Sequence, residues 1–426
     1  MEVRIQEFGA VGDGVTLNTT AIQKAIDTCA AQGGGKVIVE KGVFLTGKLI
    51  LRSFVELYLE SNGKLLGSPN YEDYPETSDQ EASHVNTSYL TRWRNNCFLF
   101  ANECEHISIT GTGTLDCNGE HFVVPCNKPP LIFEQAGDKI PGRAVFFTGC
   151  KHVKVEGITL LNPPAGWSFW VHDCDFVQFS RCNILTNPQF PNTDGIHINC
   201  SRNVTVSDCD MVCGDDCIIV RANSSSLKEN KPTEKVTVTN CNLTSYANAI
   251  RVGWSNDGVI RNCVFSNLVI TDSSYGIGIS LPYQKRAAKE ENKNIVFADV
   301  GREETLVENL SFQNIIMDRM VRQPIDIKIA EHPDHKVRGI RNIYFQGVHA
   351  SGVTMPQILG QSRCPVENII FSDCSFRVYD GQDIENLFNH SYGSMTPEEL
   401  ETTPTIKISY AKNVVFQNTS FTVEER

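Results

Sequence analysis

Apolar and polar residues alternate in short runs that recur along the chain, each closing on a polar residue followed by Cys. The runs are Val177-Gln178-Phe179-Ser180-Arg181-Cys182, Val204-Thr205-Val206-Ser207-Asp208-Cys209, Val236-Thr237-Val238-Thr239-Asn240-Cys241 and Val259-Ile260-Arg261-Asn262-Cys263. A period of two puts every second side chain on one face, which is the pattern of a half-buried strand. The closing cysteines stand 27, 32 and 22 residues apart, and Asn314 and Cys374 extend the series. Such an irregular repeat, with β-branched strands, Asn/Asp/Gly turns and almost no amphipathic helix between them, predicts an all-β solenoid, a parallel β-helix. One Cys per coil at an equivalent inward position would stack into a ladder of small buried hydrophobes.

A solenoid needs its ends covered, because a bare end coil exposes unpaired strand edges and core. Ala21, Ile22, Ala25, Ile26 and Cys29 recur on one helical face, Asn18 or Thr19 is placed to cap the N-terminus, and Gly33-Gly34-Gly35 stops the helix. This is the expected N-terminal capping helix, within a cap of about residues 1–45. Met395-Thr396-Pro397-Glu398-Glu399-Leu400 reads as a short helical turn in a late loop, followed by strand patterns at Thr405 to Ile408 and Val414 to Gln417. Because a solenoid grows by adding coils, all 426 residues are expected to form one elongated domain, 1–426.

The net charge of −12 argues against nucleic acid or an anionic membrane as partner, and no run approaches the roughly 20 apolar residues of a spanning helix. It leaves an acidic polysaccharide open, since a local basic patch can hold a polyanion. The chain opens on Met1 with Glu2 and Arg4 and no apolar stretch. Together with sixteen cysteines, this predicts reduced core thiols and a cytoplasmic location, or a secreted one if a signal peptide has been removed.

Three carboxylates carry the candidate chemistry. Asp215 and Asp216, in Gly214-Asp215-Asp216-Cys217, follow Asp194, in Asn192-Thr193-Asp194-Gly195-Ile196-His197, by about one coil. Like charges gathered on one face repel, so at least one carboxyl should keep its proton near neutral pH while the others stay ionised. Acid and base catalysis of glycoside cleavage requires that division.

The motifs around them are similar to those of the polygalacturonases, glycoside hydrolase family 28, over most of the chain. Phe8-Gly9-Ala10-Val11-Gly12-Asp13-Gly14, Gly111-Thr112-Gly113-Thr114-Leu115-Asp116 and Asn162-Pro163-Pro164-Ala165-Gly166-Trp167 through His172 resemble the family's entry, glycine-rich and tryptophan-histidine coils. Asn192-Thr193-Asp194 and Gly214-Asp215-Asp216 match its two catalytic motifs in order and spacing. The resemblance implies a right-handed parallel β-helix, a carbohydrate substrate, no cofactor, and hydrolysis with inversion. Asp215 would be the general acid, and Asp194 with Asp216 would hold and deprotonate the attacking water.

Other positions depart from the family. Ala247-Asn248-Ala249 stands where the family has Gly-His-Gly, and Gly278-Ile279-Ser280, after Tyr275-Gly276-Ile277, stands where it has Arg-Ile-Lys, whose cations grip the substrate carboxylate. His197 replaces an acidic residue after the first motif. The two lost contacts are each worth on the order of 1.5–3 kcal/mol, so plain homogalacturonan is not the expected substrate. A neutral sugar such as rhamnose at the cleaved bond fits better, unless Arg251 or Arg221 substitutes as the carboxylate ligand. Trp167, with Trp170, and His172 are candidates for the cleft wall, and Asn248 and Tyr275 for further substrate contacts. His332 and His335 do not make a metal site, since Pro333 breaks their spacing and no third ligand is indicated. A calcium-dependent polysaccharide lyase and a non-catalytic carbohydrate-binding β-helix remain the alternatives to a hydrolase, and action on oligosaccharides from one end is expected.

Overall fold

Each coil of the chain is made of short strands that pair in parallel with their counterparts one coil on. Trp167–His172, Asp175–Ser180 and Asn183–Leu185 lie beside Ile196–Asn199, Arg202–Ser207 and Asp210–Cys213. The computed structural model describes residues 1–76, 96–128, 131–224, 226–227, 229–254, 257–281, 304–330, 337–379 and 405–424. Met395–Leu400, His332 and His335 lie outside them. The architecture is a right-handed parallel β-helix, the hand that parallel crossovers adopt almost without exception. One face is an 11-stranded sheet whose order follows the chain from Leu49–Ile50 to Lys407–Ser409.

Inward positions of successive coils stack and fill the interior. Phe265, Phe312, Phe345, Phe371 and Phe416 form a column with ring centroids 4.8, 5.0, 4.7 and 4.9 Å apart. Those that are fully buried contribute roughly 1.5–3 kcal/mol each as apolar area removed from water. One continuous core runs from Val3 to Val378. At the coil corners the backbone turns through the left-handed region, which Asn tolerates. There Asn262, Asn309, Asn342, Asn368 and Asn413 pass amide hydrogen bonds from coil to coil at 2.9–3.2 Å.

The expected cysteine ladder holds in part. Cys182, Cys209 and Cys241 occupy equivalent rungs, but Cys241 pairs with Leu268, and Cys263 pairs with Val236 in a different column. Asn314 is not an inward rung: its amide donates to Asn267 in a second corner ladder. Cys374 rejoins the first column beside Val348. All sixteen cysteines are free thiols, and fifteen of them are buried.

The N-terminal helix spans Thr19–Ala31 and buries Ile22, Ala25, Ile26 and Cys29 against the first coil, with Ala21 at the margin. Asn18 occupies the N-cap position but its side chain makes no capping bond. It ties down the preceding loop instead, accepting from the Val11 N–H at 2.7 Å and donating to the Thr16 carbonyl at 2.6 Å. Gly33 and Gly34 then take positive φ and end the helix. No helix among the described residues is long and apolar enough to cross a membrane.

Candidate active site

The two carboxylate motifs are locked together through Thr193. Its hydroxyl donates to the Phe190 carbonyl and accepts from the Gly214 N–H at 3.1 Å. Gly214 has no room for a side chain, since a Cβ would fall 2.5 Å from that hydroxyl and 2.7 Å from the Phe190 carbonyl oxygen. The strands that follow each motif are in register, Ile196 opposite Ile218 and Ile218 opposite Ile250. Asp194, Asp216 and Asn248 therefore stand on successive rungs at the edge of the 11-stranded sheet, with Trp167 one rung before and Tyr275 one rung after. Asp215 projects beside them from the turn.

One oxygen from each of Asp194, Asp215 and Asp216 lies within 4.8 Å of the others. Asp216 is fully buried, Asp194 is 5% exposed, and Asp215 is the accessible member. Burial, then the neighbouring Asp216 charge, pushes Asp215 up to about 7. Burial followed by repulsion from Asp215 and Asp216 raises Asp194 well above the carboxylate range, and its Oδ1 is buried without a hydrogen-bond partner.

Asp216 is held by donors. The backbone N–H and side-chain amide of Asn248 donate to its Oδ1 at 2.8 and 2.6 Å, and Arg251 Nη1 donates to its Oδ2 at 3.1 Å. Arg251 lies 3.6 Å from the Trp254 ring centre. Three clustered carboxylates are also a donor set for a hard cation. Here the guanidinium already supplies positive charge at Asp216, and the trio fits proton sharing better than metal binding.

The other expected residues divide into those at the trio and those tied up elsewhere. His197 stacks on half-buried Trp167 at 3.9 Å, and burial, followed by the charges of Arg221, Arg143 and Arg251, keeps it neutral. Its Nδ1 is buried without a partner. Tyr275 is half-buried and its hydroxyl accepts from Arg322 at 3.2 Å. His172, by contrast, is fully buried with both ring nitrogens engaged: Asn199 donates to Nδ1 at 2.7 Å, which leaves Nε2 to donate to Ser226 at 2.8 Å. Arg221 turns to Asp257, which is fully buried, and its Nε donates to both carboxylate oxygens at 3.0 and 2.8 Å. Trp170 is 5% exposed and stacks on Phe146 at 4.2 Å, with Phe146 in turn 5.4 Å from Phe100.

Arg143 was not legible as a site residue. It is 2% exposed, lies 3.9 Å from the Trp170 ring centre and 4.5 Å from that of Trp167, and burial pulls it down to about 9. Trp254, Asp257 and Asp326 were missed as well. Asp326, on the rung after Gly278, accepts from Ser280 at 3.2 Å and Gln357 at 2.7 Å. Only the coil register brings these residues to the site.

The profile of glycosyl hydrolases family 28 matches residues 79–233, which contain all three aspartates. A probable polygalacturonase of Vitis vinifera is 27% identical over 280 residues, 64% of this chain and 55% of that protein. The chain thus spans little more than half the length of that relative. An exopolygalacturonase of Thermotoga maritima superposes with a TM-score of 0.71 at 22% identity, covering 89% of this chain and 87% of the other. A family 28 exopolygalacturonase of Yersinia enterocolitica gives 0.66 at 19% identity, covering 99% and 78%. The chain is thus similar to the polygalacturonases of glycoside hydrolase family 28 in sequence over its middle third and in fold over most of its length. Nothing in these relatives supports the cytoplasmic location expected from the start of the chain.

Proposed function

We propose that the protein is an inverting glycoside hydrolase that cleaves a pectin-related oligosaccharide from one end, with a neutral sugar preferred at the cleaved bond. The observation that carries this reading is the division of labour within the trio. Asp215, accessible and raised to about 7, keeps a proton for the leaving glycosidic oxygen. Asp216, fixed by Asn248 and Arg251, acts with Asp194 on the attacking water. Inversion is carried by the family resemblance, and the close approach of the three oxygens makes it a real test. An inverting pair keeps its carboxyl groups roughly 6.5–9.5 Å apart, a retaining pair about 5–5.5 Å.

Action from one end is supported by what lies before Asp194. Beyond half-buried Trp167, the rungs of the 11-stranded sheet there are filled by Phe100, Phe146 and Trp170, none more than 5% exposed, which leaves a sugar chain little surface to extend along in that direction. The preference for a neutral sugar is supported by the state of the two arginines. Arg221 is paired with Asp257 and Arg251 with Asp216, while Asp326 follows Gly278 on the next rung.

A lyase reading is less favoured, because Arg251, the base it needs near the trio, is buried and already paired with a carboxylate. The test is a product assay on purified protein with homogalacturonan oligomers, rhamnogalacturonan oligosaccharides and aryl rhamnosides. Reducing ends should appear with no ultraviolet-absorbing unsaturated product, the first-formed anomer should be inverted, and Asp215→Asn should lower kcat by about 10²–10⁴. Full turnover by folded Asp215→Asn protein would end the hydrolase reading.

A further inference from the structure

The two largest departures from the family, at 248 and at 278, meet in space. Strand Asn248–Val252 pairs with Tyr275–Leu281, and Arg251 stands opposite Gly278. A Cβ built on Gly278 would fall 2.4 Å from Asn248 Oδ1 and 3.3 Å from Asn248 Cγ, with no other side chain in reach. The same amide group turns its nitrogen to Asp216 at 2.6 Å. The Asn248 side chain therefore lies across the surface of residue 278 while holding a catalytic carboxylate. Gly278 is not among the glycines of positive φ, so its backbone does not require glycine. Space for Asn248 does.

We infer that Asn248 and Gly278 form one positioning unit for Asp216, in which the glycine exists to let the amide reach the carboxylate. This inference rests on the hydrolase reading for its catalytic consequence. It makes the absence of the cation grip a structural necessity: a side chain at 278, arginine included, displaces the Asn248 side-chain amide and with it one of the three donors that fix Asp216. Asn248 and an arginine at 278 exclude one another, which links the way the base is held to the sugar this site accepts.

The experiment is a double-mutant cycle on the full chain with Gly278→Ala, Asn248→Ala and the double variant, read by kcat, KM, the pH profile and thermal melting. Each single substitution should lower kcat by at least about tenfold with KM within about twofold, because the damage falls on the held water and not on substrate binding. Both should move the pH profile in the same direction. The double variant should be no slower than Asn248→Ala, since the methyl group then meets nothing. Additive losses in the double variant, or a Gly278→Ala protein within twofold of wild type, would overturn the unit. If Gly278→Ala alone fails to fold, melting reads the same coupling: the double variant should melt with Asn248→Ala, and a lower value would show that the methyl group clashes with something else. Asp215→Asn runs in parallel. Unchanged turnover there would sink the hydrolase reading, while the coupling seen in melting would still decide the contact between 248 and 278.

Discussion

Arg251 donates to Asp216 across 3.1 Å with both side chains almost entirely out of water, 9% and 1% exposed. Removing one partner of a buried pair leaves the other charge uncompensated, which typically costs about 3–5 kcal/mol. Arg251 also acts beyond Asp216, because its charge opposes the upward shifts of both Asp194 and Asp215. Arg251→Met should therefore lose turnover and move both limbs of the pH–rate profile to higher pH, with Arg251→Lys intermediate. A loss of rate with limbs in their wild-type positions would show that Arg251 serves only packing over Trp254.

The activity of the native protein should follow a narrow bell. Its alkaline limb is set by loss of the Asp215 proton near 7, and its acid limb lies well above the ordinary carboxylate range because the base group includes the raised Asp194. The two apparent values belong to the coupled trio and not to single residues. Measuring kcat/KM across pH 4–9 checks this, and a plateau extending past about pH 9 is incompatible with Asp215 as the acid. Addition of chelator should leave the profile unchanged. A chelator-sensitive rate would favour a metal on the trio and the lyase reading.

Stability should carry the same signature with a definite sign. Asp194 and Asp215 bind their protons more tightly in the folded chain than in the unfolded one, as do buried Asp257 and Asp326. Their contribution is fully present below the unfolded value near 3.9 and is lost as pH rises through the folded values. Asp215→Asn removes one of these titrations. Its melting temperature should exceed that of the wild type at pH 8, and the difference should shrink toward pH 4. The opposite trend would mean that Asp215 is ionised and stabilising in the folded state.

Strand alternation was enough to read the solenoid, because an inward side chain every second residue is a local property of each run. Coil register was harder to read. Each coil turns two left-handed corners, and both place an Asn or a similar residue just before an inward position, so Asn240-Cys241 and Asn262-Cys263 look alike in sequence yet lie in different columns. The trio was legible because each motif is contiguous. Its surroundings were not: Arg251 and Asp216 are 35 residues apart, and Arg221 and Asp257 36, so no local pattern joins them. Arg221 and Arg251 lie on the strands Ile218–Arg221 and Asn248–Val252. That their charges are met by Asp257 and Asp216 depends on which rung each one faces.

Those pairings lead to the prediction on specificity. A galacturonate at the cleaved bond would have to draw Arg251 from Asp216 or Arg221 from Asp257, leaving a buried carboxylate without its partner in either case. The segment Gly278-Ile279-Ser280 offers no cation in exchange. A neutral sugar asks for neither change. The expected outcome is a higher kcat/KM on rhamnose-containing or aryl neutral glycosides than on homogalacturonan oligomers. Ser280→Lys should do little for the neutral substrate or hinder it. If homogalacturonan oligomers lead by more than about tenfold, roughly 1.4 kcal/mol in transition-state binding, the neutral preference is wrong, and Arg251 or Arg221 must release its aspartate to hold the substrate carboxylate.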